Sequence, residues 1–219
     1  VDTPDQIGDL TLAQFDEKLA SAEPVPGGGS ASAVAGSMAG SLLAMVSRLS
    51  VDRPKYAAYA ETHSRALRVA DASRIRLLEL ADSDARAYAT FSAARKMARE
   101  TDEEREARDE ATRVAAREAT EVPLAVAREC ARLMDEIEQM AGRSNLNAAS
   151  DLEVAARLAA AAARGAAANV VINLPAVGDD SYAGVTKVEV TRLLNDVDRS
   201  ASFVAQRVSA GTLREPETE

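Results

Sequence analysis

Tryptophan is absent from this chain, and all aromatic residues together make up 3% of its 219 positions. A core without bulky groups has to form by helices approaching closely over small side chains, and alanine is abundant. Cysteine occurs once, as Cys130, which excludes an internal disulfide. Its setting, Ala127-Arg128-Glu129-Cys130-Ala131, has a helical pattern in which a small buried thiol is the plain reading. Histidine also occurs once, as His63, so a two-histidine metal site is excluded and a Ser-His-Asp triad is disfavoured. Positive charge is in deficit: 26 Lys and Arg stand against 35 Asp and Glu, a formal net charge of −9. A nucleic-acid backbone is therefore not an expected partner. No run of 18 apolar residues occurs, and the acidic N-terminal stretch carries no apolar leader core. No membrane partner is expected, and the expected location is cytoplasmic.

What is present reads as helix almost throughout. Hydrophobic residues at 47% and charged residues at 28% give an ordinary globular balance, with length enough for a real core. Thr11 fits an N-cap for a short helix whose Leu12, Phe15 and Leu19 share one side. Glu23-Pro24-Val25-Pro26-Gly27-Gly28-Gly29 interrupts it, and Ser30 is the expected cap of a second helix reaching about Leu49. That helix is built of small residues, with Gly36 and Gly40 on one face for close backbone approach. Pro54 suits the first turn of a third helix, and no proline or glycine follows from Lys55 to about Arg99, which allows one very long helix or two nearly collinear ones. Thr101 to Glu104 resembles a capping start, with periodicity continuing to Met140 and an expected kink at Pro123. After a break at Gly142 to Asn145, a helix is expected from about Ser150 to Leu174, ending before Pro175, and a last one from Ser181 to Val208. The expected fold is all-α: an up-and-down bundle of long helices packed over small residues, one domain over 1–219 with 210–219 as a polar tail.

Within this pattern, one carboxylate stands out. At 100° per residue, Leu77, Ala81, Asp84, Tyr88 and Phe91 fall within about 80° of one another, so Asp84 is set in an apolar stripe while Asp82 and Arg86 point away. An ionised carboxylate there needs either an ion-pair or hydrogen-bond partner on a facing helix, or an opening onto a ligand cavity. Asp151, Leu158, Ala162, Gly165 and Asn169 form a second narrow stripe. Asp151 can serve simply as a first-turn dipole partner, but an asparagine as deep in a helix as Asn169 needs something for its amide. The Pro26-Gly27-Gly28-Gly29-Ser30 loop offers free backbone N–H groups at a helix start, although neither a Rossmann fingerprint nor a Walker loop surrounds it.

Five segments taken together resemble the cyclodeaminase/cyclohydrolase family. They are Pro24 to Ala33, Asp82-Ser83-Asp84-Ala85-Arg86-Ala87-Tyr88, Val122-Pro123-Leu124, Ser144-Asn145-Leu146-Asn147-Ala148-Ala149-Ser150-Asp151, and Asn169-Val170-Val171-Ile172-Asn173-Leu174. Each is modest alone; jointly, in the family's order and spacing, they are specific and cover most of the chain. The resemblance implies an all-helical homodimer, a folate pocket and no metal, with a tetrahydrofolate derivative as substrate and no permanently bound cofactor. It implies that Asp84 is the proton donor and acceptor, that Gly27, Gly28, Gly29 and Ser30 hold the pterin or the tail, and that Asn147, Asp151 and Asn169 contact and orient the substrate. Arg53 and Lys55 remain where family members often carry Gly-Lys-Lys-Lys-Tyr, and are the expected contacts of the anionic glutamate tail. The Leu-Pro-Lys that members often place after the Asp-x-Asp helix is replaced by Lys96-Met97-Ala98-Arg99.

The implied activity is cyclisation of 5-formimidoyltetrahydrofolate to 5,10-methenyltetrahydrofolate with release of ammonia, drawing on a separate formimidoyltransferase. Hydrolysis of 5,10-methenyltetrahydrofolate to the 10-formyl form is the alternative. A non-catalytic folate-binding or assembly bundle is a third reading, which the presence of Asp84 disfavours.

Overall fold

The computed structural model describes residues 6–216, and among them helices account for nearly all of the chain and no strand forms. A 3-10 turn at Ile7–Asp9 precedes α1 (Leu12–Leu19), whose N-terminus carries a reciprocal capping box between Thr11 and Gln14. Helix α2 spans Gly28–Arg48, α3 spans Ala60–Arg95, α4 spans Asp102–Met140, α5 spans Ala149–Val177 and α6 spans Asp180–Ala210.

Several boundaries differ from the sequence reading, each for a physical reason. Gly27, not Ser30, is the N-cap of α2; Ser30 already lies inside the first turn, and its hydroxyl is directed to α3 instead. Pro54 opens a 3-10 turn, Pro54–Tyr59, and α3 then runs as one unbroken helix of 36 residues. As expected, helix α4 continues through Pro123 to Met140, and Thr101 with Glu104 closes its N-terminus in a second capping box. Pro175 does not stop α5. Buried Leu174 and Val177 flank it and anchor the last turn, which ends at Gly178 in the left-handed conformation. The expected polar tail is tied down as far as Arg214. Its backbone N–H donates to the Gly142 carbonyl at 2.7 Å, its carbonyl accepts from the Tyr59 hydroxyl, and its guanidinium lies over the Phe203 ring. Residues 217–219 lie outside the described part.

Helix α2 is central, lying against α3, α4 and α5, while α6 covers α4 and α5. Small residues make this possible. A Cβ at Gly36 would sit 2.9 Å from Cys130 Sγ and 3.2 Å from a Leu77 methyl, and one at Gly40 would sit 3.3 Å from the Ala70 carbonyl. The Gly36/Gly40 face is thus consumed inside the chain, packing on α3 and α4, and is not an outward face awaiting a second copy. Cys130 is fully buried, and desolvation pushes its thiol up to about 12. Among the described residues, Gly28–Arg48 and Leu146–Val177 are long and apolar enough to cross a membrane by length and composition, and both contribute heavily to the bundle core.

Candidate active site

The direction of the helices divides the expected site residues between two ends of the bundle. The N-terminus of α2, the middle of α3 and the C-terminal half of α5 meet at one end, where Gly27, Gly28, Gly29, Ser30, Asp84 and Asn169 come together. Arg53, Lys55, Asn147 and Asp151 gather at the other end. There, buried Asn145 donates from its backbone to Ser50 and from its side chain to the Leu49 carbonyl, tying the start of α5 to the end of α2. Asp151 and Asn169 belong to one helix but stand about 27 Å apart along it at 1.5 Å per residue. Within one chain, therefore, Arg53, Lys55, Asn147 and Asp151 do not reach Asp84. Asp151 sits in the first turn of α5, as expected of a dipole partner.

At the Asp84 end the chain encloses a cavity of about 480 Å³, within the range of small-molecule sites. Its floor is the Gly27–Gly29 backbone with Asp84. One wall is the continuation of the α3 stripe through Tyr88, Phe91 and Arg95, and the opposite wall is Asn169, Asn173 and the turn around Pro175. Gly29 is required here. A Cβ at that position would overlap the Asp84 carboxylate, so only glycine lets the carboxylate lie against the start of α2. The Ser30 hydroxyl lies 2.9 Å from Asp84 Oδ2 and 3.1 Å from the Ala81 carbonyl, so one hydroxyl proton is shared between two acceptors.

No cation pairs with Asp84 among the described residues, which removes the ion-pair reading of its stripe. Burial raises its pKa above the ordinary carboxylate value, and hydrogen bonding from the Ser30 hydroxyl and backbone N–H partly offsets that rise. A carboxylate held by neutral donors in a largely apolar cavity can take a proton from a bound reactant and give it back. Asn169 spends its amide N–H on the Gly165 carbonyl of its own helix at 2.9 Å, and Asn173 spends its own on the Ala119 carbonyl at 2.6 Å. Both side-chain amides are thereby fixed at the cavity wall.

Arg95 and Asn173 were not among the expected site residues. Both were within reach of the sequence: Arg95 is eleven residues after Asp84 and returns to within about 20° of it, and Asn173 is one turn beyond Asn169. Asp82, expected to point away from the stripe, accepts a 2.7 Å hydrogen bond from the Ile7 N–H and pins the N-terminal segment to α3.

Residues 11–192 match the formiminotransferase-cyclodeaminase family. The chain belongs to that family. It is 35% identical to a methenyltetrahydrofolate cyclohydrolase of Methylorubrum extorquens, over 85% of this chain and 90% of that protein. It is 32% identical to a formimidoyltransferase-cyclodeaminase of Sus scrofa, over 91% of this chain but 37% of that longer protein. The crystal structure of a formiminotetrahydrofolate cyclodeaminase from Thermotoga maritima superposes with a TM-score of 0.85 at 26% identity, covering 93% of this chain and 98% of the other. The all-α bundle of the family is the fold found in this chain.

Proposed function

We propose that this family member cyclises 5-formimidoyltetrahydrofolate to 5,10-methenyltetrahydrofolate, with Asp84 moving the proton. The observation that carries the proposal is a partly buried carboxylate, unpaired with any cation among the described residues, cradled by Gly29 and Ser30 at the floor of a cavity. N10 attacks the formimidoyl carbon and a C–N bond forms. The formimidoyl group, a formamidine, enters as its cation; Asp84 takes the N10 proton and delivers it to the resulting amino nitrogen, and the bond from that nitrogen to the bridging carbon breaks as ammonia leaves. The methenyl product is cationic, and the same carboxylate stabilises that charge in a cavity where water screens it poorly.

The likeness to the M. extorquens cyclohydrolase favours a second reading in the same cavity. Water adds to the methenyl carbon with Asp84 as base, the proton returns to N5 as the C–N5 bond opens, and the remaining hydroxyl proton is released to solvent as the 10-formyl carbonyl forms. Gly27 and Gly28 offer backbone polar groups to the pterin, and Asn169 orients it. Arg53, Lys55, Asn147 and Asp151 stay in this proposal only as contributions from a second copy in a homodimer.

Absorbance of 5,10-methenyltetrahydrofolate, followed with purified protein and started separately from each substrate, tests the proposal. Growth of the signal from the 5-formimidoyl compound with release of ammonia supports cyclodeamination, and decay from the methenyl compound supports cyclohydrolysis. No change from either start would overturn both readings.

A further inference from the structure

The cavity wall contains two charged side chains, Asp84 on its floor and Arg95 at the far end of the same helical stripe. They are about 16 Å apart along α3, three helical turns, with Tyr88 and Phe91 between them on the same face. The cavity therefore presents, in order, an anion, two aromatic rings and a cation. Arg95 differs in its partners from three arginines of α4, although Arg86 and Arg108 bond to a hydroxyl and a carbonyl rather than to a carboxylate. Arg113, Arg117 and Arg128 of α4 all pair with carboxylates, at 2.6, 2.8 and 2.7 Å. The Arg95 guanidinium has no carboxylate partner among the described residues, and its contact is the Phe91 ring, 5.8 Å from the centroid. A cation in the last turn of α3 also suits the helix dipole. That role does not require the side chain to lie along a cavity wall, and Lys96 immediately follows.

Resting on the folate reading of this cavity, we infer that Arg95 binds the first glutamate carboxylate of the substrate and selects for it. Tyr88 and Phe91 face the benzoyl ring that joins the reacting nitrogens to that glutamate. A folate has this order of chemistry: a reacting head that gains positive charge, an aromatic middle and an anionic end. Arginine suits the last, because its planar fork can donate two hydrogen bonds to one carboxylate while its other face stays on the Phe91 ring. The specificity determinant is then carried by the same chain as Asp84, in contrast to Arg53 and Lys55 at the opposite end.

The test takes whichever compound turns over, 5-formimidoyltetrahydrofolate or 5,10-methenyltetrahydrofolate, and compares its monoglutamate with the matching pteroate, which lacks the glutamate, on the wild type, Arg95→Ala and Arg95→Lys. The wild type should prefer the glutamylated compound. Arg95→Ala should lose that preference, raising KM for the folate by roughly ten-fold or more, as expected for removing a charge-assisted hydrogen bond, with the effect on KM rather than kcat. Arg95→Lys should restore part of the preference, which a merely structural role would not do. An unchanged preference in Arg95→Ala, or an equal rise in KM for both compounds, would overturn the inference while leaving the folate reading intact. A wild type that neither binds nor turns over either compound would instead remove the folate reading, and the inference with it.

Discussion

Asp84 meets neutral donors on one side and a cavity on the other, and this balance sets how it responds to pH and to mutation. Its pKa is raised in the folded protein, so the protonated form is favoured by folding. The stability this contributes is full below the ordinary carboxylate range and is lost as pH rises through the raised value. Asp84→Asn should therefore unfold at an equal or higher temperature than the wild type at neutral pH, with the difference shrinking in acid. A sharply lower melting temperature would mean that a hidden partner charge had been stranded. Ser30→Ala removes a hydrogen bond that lowers the Asp84 pKa, so the acidic limb of the rate profile should move to higher pH. An unmoved limb would show that another group limits the rate. Gly29→Ala should cost activity far more than stability, because the carboxylate can swing aside but then leaves its place against α2. The inward setting of Asp84 was legible from the 100° periodicity of α3. Its partner was not, because Ser30 is 54 residues away and only the packing of α2 on α3 brings them together.

At the scale of elements, the caps at Thr11 and Thr101 could be read because each depends on residues within one turn, whereas the sequence left open whether the third helix was one or two. The misplaced boundaries all depend on tertiary packing. Pro175 remains inside α5 because buried neighbours hold the turn, and Ser30 is drawn away from capping by a facing helix. The glycine face of α2 was legible as a close-approach surface, but its partners α3 and α4 were not. Gly36→Leu should consequently destabilise the chain by several kcal/mol, whatever its state of association, because Cys130 and Leu77 leave no room. Chemical denaturation at two protein concentrations checks this, and destabilisation confined to dilute protein would point to an interface instead. Thr101→Ala should cost about 0.5–2 kcal/mol through the lost cap of α4, with turnover unaffected since that cap lies outside the cavity.

The whole bundle places its expected functional residues at two ends, and only in the proposed homodimer would both serve one substrate. Sedimentation equilibrium should then give twice 23.1 kDa at micromolar concentration, and a 23.1 kDa species would restrict the site to the Asp84 end. This division was invisible in the sequence, because the motifs give residue types in order along the chain but not which end of a long helix each occupies. Proton transfer by Asp84 is measured by single-turnover absorbance of 5,10-methenyltetrahydrofolate with wild type and Asp84→Asn at saturating substrate. Asp84→Asn should turn over more slowly by at least roughly two orders of magnitude with folate binding largely kept. An Asp84→Asn enzyme turning over at the wild-type rate would contradict that proton transfer.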